Sequence, residues 1–247
     1  MEQLSCMSDL WLFESLSPAE KEYFRTLFRR PVYQKGEYLF CEGEPSSAVF
    51  VVIEGRVKLS KTTDDGSEVI LGFLTPHSLF GEDVLFNDSV HGLSAQALVE
   101  SRICACYKSD FEALVAQNSA VATKVIRVLG DRLNRMTDQL TDMAIYDTQD
   151  RLARTLARLA LEHGEQTRDG RRLNFRLTHD DMGALVGASR VMVTNVLKTL
   201  KKSGIVQDDS EHRLTISNRF MEELASNPAA APPLTPPDCQ CFNRRSI

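Results

Sequence analysis

The sequence predicts an α+β fold: an antiparallel β-barrel or roll, then a long helix, then a small C-terminal winged helix-turn-helix. Three observations predict it. Strand-like runs broken by glycine fill residues 32–107, a proline-free apolar stripe follows, and two cappable helical segments flank a glycine within 178–204. The boundaries read from these are 1–31 for N-terminal helices, 32–110 for the roll, 111–146 for a helical linker and dimerisation helix, 147–222 for the helix-turn-helix domain, and 223–247 for a disordered tail.

Residues 1–31 place Leu10, Leu12, Phe13, Leu16, Tyr23, Phe24, Leu27 and Phe28 at helical intervals. Ser17-Pro18-Ala19-Glu20 has the serine cap, N1 proline and N3 glutamate of a helix start. In the roll segment the strand-like runs are 38–40, 48–53, 57–61, 68–74, 95–99 and 102–107, broken at Gly36, Gly43 and Gly55. Asp65-Gly66 between two such runs signals a hairpin. Several short strands at this spacing imply a closed antiparallel architecture.

The next stretch carries Val121, Val125, Leu129, Met136, Leu140 and Met143 at close to helical period, with charged residues between them. A helix over 119–146 would run roughly 40 Å at 1.5 Å per residue. Its length and narrow stripe make Val125, Leu129, Met136, Leu140 and Met143 the candidate dimer face. Residues 163–170 read as a polar connector and 173–177 as a short alternating strand. From Asn227 the proline- and alanine-rich chain lacks the periodicity needed to pack.

Composition narrows the function. The 247 residues are 43% hydrophobic and 26% charged, which suits a core-forming globular chain. Twenty-nine basic and 34 acidic residues give a net charge of −5, so a uniformly basic nucleic-acid binder is excluded but a local basic patch is not. No stretch nears the roughly 20 apolar residues of a membrane span. The first residues show no basic-then-apolar leader, and six cysteines are too sparse for a disulfide scaffold, so a cytoplasmic location is expected, with the cysteines as reduced thiols, metal ligands or sensors. No nucleophile–base pair or phosphate loop stands at motif spacing, so no enzymatic activity is expected.

The most informative segment is 177–204. Thr178 can cap a helix with Asp181 at its positive end, and Met182, Leu185 and Val186 give that helix an apolar face. Gly187 suits a sharp turn, and Ser189 can cap a second helix. That helix offers Ser189, Arg190, Val191, Thr194, Asn195 and Lys198 as candidate DNA contacts in a major groove. Residues 171–206 hold seven basic and two acidic side chains, a net of +5 in a chain whose total is −5. Such asymmetry is what a phosphate-binding surface needs.

Helices, a glycine-punctuated roll, a long helix and a helix-turn-helix, in that order, resemble the CRP/FNR family of bacterial transcription regulators over roughly residues 10–222. The carrying motifs are Lys35-Gly36-Glu37-Tyr38-Leu39-Phe40-Cys41-Glu42-Gly43-Glu44, Val52-Ile53-Glu54-Gly55-Arg56-Val57-Lys58-Leu59, Phe80-Gly81-Glu82, Arg151-Leu152-Ala153-Arg154-Thr155-Leu156 and Gly187-Ala188-Ser189-Arg190. The resemblance implies a homodimer, a cyclic-nucleotide-binding-type β-roll as sensor, and a winged helix on a palindromic double-stranded DNA site. Two recognition helices about 34 Å apart would read half-sites one helical turn apart. RNA polymerase is the further partner if the protein is an activator.

The departures from the family pattern bear on the effector. Cyclic-AMP-binding members follow Gly-Glu with Arg-Ser or Arg-Thr; here Gly81-Glu82 is followed by Val90-His91-Gly92-Leu93-Ser94. A neutral imidazole does not replace a permanent guanidinium against phosphate, so cyclic AMP is not the expected ligand. The candidate effector pocket is Gly81, Glu82, His91 and Ser94. Iron–sulfur members carry an N-terminal cysteine cluster plus one late-strand cysteine; Cys104 matches the latter, but only Cys6 lies near the N-terminus. Cys104, Cys106, Cys6 and His77 are therefore candidate metal or redox residues, with a haem or an iron–sulfur cluster as the two cofactors considered. Cys104 and Cys106 also read as two small buried apolar residues. At the base-reading positions, Val191 and Asn195 stand where the family often has Glu and Arg, so a distinct operator is expected; Val191 suits a thymine methyl and Asn195 an adenine. The expected function is a sequence-specific transcription regulator controlled through the roll. The rival is a nucleotide-type or gas sensor whose DNA binding is secondary.

Overall fold

The computed structural model describes residues 11–14, 16–85 and 90–226. It divides into two compact units, Met1–Asn134 and Arg135–Ile247.

In the first unit a 3-10 turn, Trp11–Phe13, precedes helix α1, Pro18–Leu27. Ser17 Oγ accepts from the Glu20 N–H and the Glu20 carboxylate accepts from the Ser17 N–H, so the capping box forms with proline at the first helical position. Eight strands follow: β1 (Val32–Tyr33), β2 (Tyr38–Phe40), β3 (Ala48–Glu54), β4 (Val57–Thr62), β5 (Glu68–Leu74), β6 (Leu79–Phe80), β7 (Ser94–Ala97) and β8 (Ser101–Tyr107). They pair antiparallel into two sheets ordered β1-β8-β3-β6 and β2-β7-β4-β5. The hairpin expected at Asp65-Gly66 joins β4 to β5.

Strand β3 shows why its sequence is apolar without alternation. Phe50 and Val52 point into the core between the sheets with Phe40, Leu59, Phe80 and Ile103. Val49 and Val51 point the other way, into a second core with Leu12, Phe13, Cys104, Cys106, Phe111 and Val125. A strand covered on both faces needs apolar residues at every position. Helix α2 (Lys108–Gln117) supplies Phe111 and Leu114 to this second core, and helix α3 (Ser119–Ile145) supplies Val121 and Val125.

The second unit begins within the C-terminal half of α3 and continues with α4 (Thr148–His163), capped by Asp147. The hairpin β9 (Gly164–Gln166) and β10 (Gly170–Leu173) precedes α5 (His179–Val186) and α6 (Arg190–Lys202). Strands β11 (Val206–Asp208) and β12 (Leu214–Ser217) then complete a sheet ordered β11-β12-β10-β9, and α7 (Asn218–Ser226) follows. Here the structure corrects the sequence reading three times. The polar connector falls within a hairpin over 164–173, His163 ending α4, and the ladder ends at Leu173; Phe175 and Leu177 are buried without strand pairing. Alternating burial alone does not require a partner strand. Residues 223–226, read as the start of a tail, lie in α7, while 227–247, with the tail cysteines, fall outside the described residues. Among the described residues no helix is long and apolar enough to cross a membrane.

Candidate nucleic-acid interface

The helix-turn-helix is assembled by local chemistry. Thr178 Oγ1 accepts from the Asp181 N–H at 3.0 Å, and the Asp181 carboxylate accepts from the Thr178 N–H at 2.9 Å. Gly187 ends α5 in the left-handed conformation at φ 65°, a backbone shape that favours glycine. Ser189 caps α6 by accepting from the Met192 N–H. Gly183 was not singled out from sequence. A Cβ there would lie 2.4 Å from the Ala188 carbonyl, so the turn closes only over glycine.

On α6, Val193, Leu197 and Leu200 are buried. At 100° per residue the opposite face is the row Val191, Asn195, Lys198 and Lys202, all exposed, with Val191 at 71%. Arg190 lies to one side of this row, exposed, its Nη1 3.1 Å from Asp180 Oδ2. Thr194 differs from the expectation of an outward reader. It is half-buried, donates its hydroxyl proton to the Arg190 carbonyl and lies 2.8 Å from His179 Nδ1. With its only proton committed, Thr194 Oγ1 accepts from imidazole Nδ1–H, so the residue ties α6 to the start of α5.

The charge excess is also redistributed. Arg172 pairs with Glu165 and Asp209, and Lys201 with Asp208, so acids outside the 171–206 window offset part of its +5. Asp209 shapes the wing turn: its carboxylate accepts from the backbone N–H groups of Arg213 and Glu211, which hold it below the usual aspartate range. A cleft of about 380 Å³ between this wing and the two helices is lined by Arg176, His179, Arg190, Lys201 and His212 among others.

The dimer stripe resolves into two faces. Val125 is 3% exposed and belongs to its own unit's core, with Leu129 packed at the edge, so the assignment of Val125 to a dimer face is corrected. The exposed apolar residues of α3 include Ile126 at 67%, Leu133 at 65% and Leu140 at 68%, with Met136 and Met143 beside them. Ile126, Leu133 and Leu140 recur every seven residues, and Leu129, Met136 and Met143 recur three positions later, which is a heptad seam. Reading one stripe at a period near 3.6 merged an inward face with an outward one.

In the roll, the four candidate effector residues all make structural contacts, while Glu82 Oε2 is buried without a hydrogen-bond partner. Gly81 has φ 78°, and a Cβ would meet the Phe50 ring at 2.8 Å and the Ala48 carbonyl at 2.9 Å. Glu82 is buried and paired with Arg132 on α3. His91 is buried, stacked on Phe40 at 3.7 Å, with Nδ1 3.0 Å from Asp83 Oδ2. Ser94 Oγ accepts from the Glu42 N–H at 2.9 Å.

Of the described metal and redox candidates, Cys104 and Cys106 share one core and His77 lies on an exposed turn. Cys104 and Cys106 point into the apolar second core, and burial pushes the Cys106 thiol up to about 12. His77 is exposed and occupies a turn at φ 74°, where its carbonyl accepts from Trp11 Nε1–H. Cys6 lies outside the described residues. Among the described residues no three His, Cys, Asp or Glu side chains gather as a metal site. The described side chains alone do not assemble the four thiolates of an iron–sulfur cluster.

Comparison with known proteins agrees with this architecture. A cyclic nucleotide-binding domain model matches residues 30–118, and a Crp-like helix-turn-helix domain model matches residues 150–221. The chain is 30% identical to the cyclic AMP receptor protein of Thermus thermophilus, covering 79% of this chain and 88% of that one. It is 32% identical to the cAMP-activated global transcriptional regulator Vfr of Pseudomonas aeruginosa, covering 72% and 84%. The structure of FixK2 from Bradyrhizobium japonicum shares the fold, with a TM-score of 0.69 at 21% identity over 80% of this chain and 96% of that one. An effector-type roll followed by a helix-turn-helix defines a two-domain transcription regulator. The chain belongs to the CRP/FNR family of such regulators.

Proposed function

We propose that this chain acts as a homodimer on a palindromic DNA site, read by the outward row of α6. Val191 and Asn195 face base edges, Lys198 the backbone, and Arg190 a guanine from the flank. The observation that carries this reading is the exposed row on a helix whose other face is locked into the core. Thr194 acts as a strut behind it, and Ser189 as the cap that presents the first turn. The heptad seam of α3 supplies the dimer contact, which sets the spacing of the two recognition helices. Promoter activity through RNA polymerase and a cytoplasmic location complete the proposal.

Selection of binding sites from a random DNA pool, followed by fluorescence anisotropy over a salt series, tests it. The expected result is an inverted repeat with half-site centres one helical turn apart and an affinity that falls steeply with salt. Recovery of no enriched sequence would refute the reading.

A further inference from the structure

We infer that Arg151 is a positioning residue: it clamps the end of helix α3 to the turn before α6, and so selects the half-site spacing that the dimer reads. The spacing part rests on the function proposed above; the clamp itself does not. The first observation is the extent of the second unit, which starts at Arg135. Met136, Leu140 and Met143 of the seam therefore belong to the same compact unit as α6. Only Tyr146 and Asp147 separate the end of α3 at Ile145 from the start of α4 at Thr148. Each linking residue has two soft dihedrals, so the angle between the helices is set by side-chain contacts and not by the link.

The second observation is what α4 turns toward α3. Arg151 Nη1 donates to the Tyr146 carbonyl at 3.1 Å. The Arg154 guanidinium lies 3.7 Å from the centre of the Tyr146 ring, and Arg158 Nη1 is 3.5 Å from Asp142 Oδ2. Positions 151, 154 and 158 share one face of the helix. Arg151 also reaches the helix-turn-helix. Its Nη2 donates to the Val186 carbonyl at 3.2 Å and lies 3.4 Å from Thr148 Oγ1. Val186 is the last residue of α5, directly before Gly187. Its carbonyl is one of those that a helix C-terminus leaves without an intrahelical partner. Arg151 Nε is buried and makes no hydrogen bond, so the guanidinium is held through its two Nη groups. One planar fork thus spans carbonyls on two separate elements, which a single ammonium does not do. The buried face of α4 is Leu152, Leu156, Leu159 and Ala160, so the packing of the helix does not depend on Arg151. Without the fork, the recognition turn swings against the seam, and the two half-sites are read at several separations.

The test uses the full chain with Arg151→Gln and Arg151→Lys. The selected inverted repeat is compared by anisotropy with repeats whose spacer is one base pair shorter or longer. Both variants are expected to lose about tenfold of the preference for the selected spacing, while base preference within each half-site is unchanged. Arg151→Lys keeps the stem and the charge, so it carries the test if Arg151→Gln fails to fold. Hydrogen exchange without DNA reads the clamp directly. Peptides over 145–150 and 184–190 are expected to exchange about tenfold faster in both variants, and those over 152–160 at the original rate. A spacing preference kept by either folded variant overturns the inference, as does full rescue by lysine. Loss of base preference along with spacing preference, or faster exchange throughout 152–160, assigns Arg151 a merely structural role and also overturns it. If the unaltered protein selects no DNA sequence, the proposed function fails; the exchange pattern then still decides the clamp.

Discussion

Asp180 Oδ2 lies 3.1 Å from Arg190 Nη1, so an acid at the start of α5 draws the guanidinium to the flank of the recognition helix. Both side chains are exposed, so the pair itself adds little stability. Its consequence is directional. Arg190→Ala should cost roughly 1–3 kcal/mol at one base pair and little elsewhere, as measured by anisotropy over single-base variants of the selected site. Asp180→Asn should strengthen binding to specific and random DNA alike. An equal loss on every sequence for Arg190→Ala would reassign the residue to phosphate contact.

Val191 stands at the N-terminal end of the outward row, 71% exposed, where an apolar side chain gains only if it meets another. A thymine methyl is the apolar group that a major groove offers. Replacing thymine by uracil at the facing position should weaken binding by about 0.8 kcal/mol, the value of one buried methyl-sized group. The same replacement should have no effect on Val191→Ala. A loss that persists in the variant would remove Val191 from the contact.

The seam and the core of α3 separate experimentally. Leu133→Asp or Leu140→Asp should give folded protomers by circular dichroism that sediment at half the mass. Val125→Asp should instead unfold the first unit, because it places a carboxylate in an apolar core without a partner. Dimers that survive Leu133→Asp and Leu140→Asp together would displace the seam.

Gly183→Ala should destabilise the second unit by on the order of 1–3 kcal/mol, because the added methyl would lie 2.4 Å from the Ala188 backbone carbonyl. Thermal melting reads this directly; an unchanged midpoint would mean that the turn opens freely.

Burial holds the Cys106 thiol protonated, with lesser contributions from Asp110 and Cys104. At about pH 8 iodoacetamide should label Cys41, which is half-buried, and leave Cys104 and Cys106 unlabelled until denaturant is added. Because the folded-state value is raised, the stability linked to this thiol is complete below its ordinary value of 9.0 and is lost as pH climbs toward 12. Labelling of Cys106 in the native protein at neutral pH would restore it as a redox candidate.

Much of the helix-turn-helix was legible in one dimension because its determinants are local. Thr178 and Asp181 are three residues apart, Ser189 begins its own helix, and Gly187 needs only its own backbone freedom. The same holds for Ser17 and Glu20 in α1 and for the hairpin at Asp65-Gly66. The roll was legible as a class because strand length and turn spacing are also short-range properties.

What one dimension could not carry is which of two faces a residue serves. Val125 and Ile126 are adjacent and equally apolar, yet one fills a core and the other faces outward, because the sheet beneath α3 covers only one side of it. Thr194 reads as a groove contact until His179, fifteen residues earlier, takes its hydroxyl. Glu82 reads as a ligand-binding acid, and sequence gives no sign that Arg132, fifty residues later, pairs with its Oε1. Periodicity, caps and turns are written in neighbouring residues; burial and pairing depend on long-range packing, which brings together side chains with no relation in sequence.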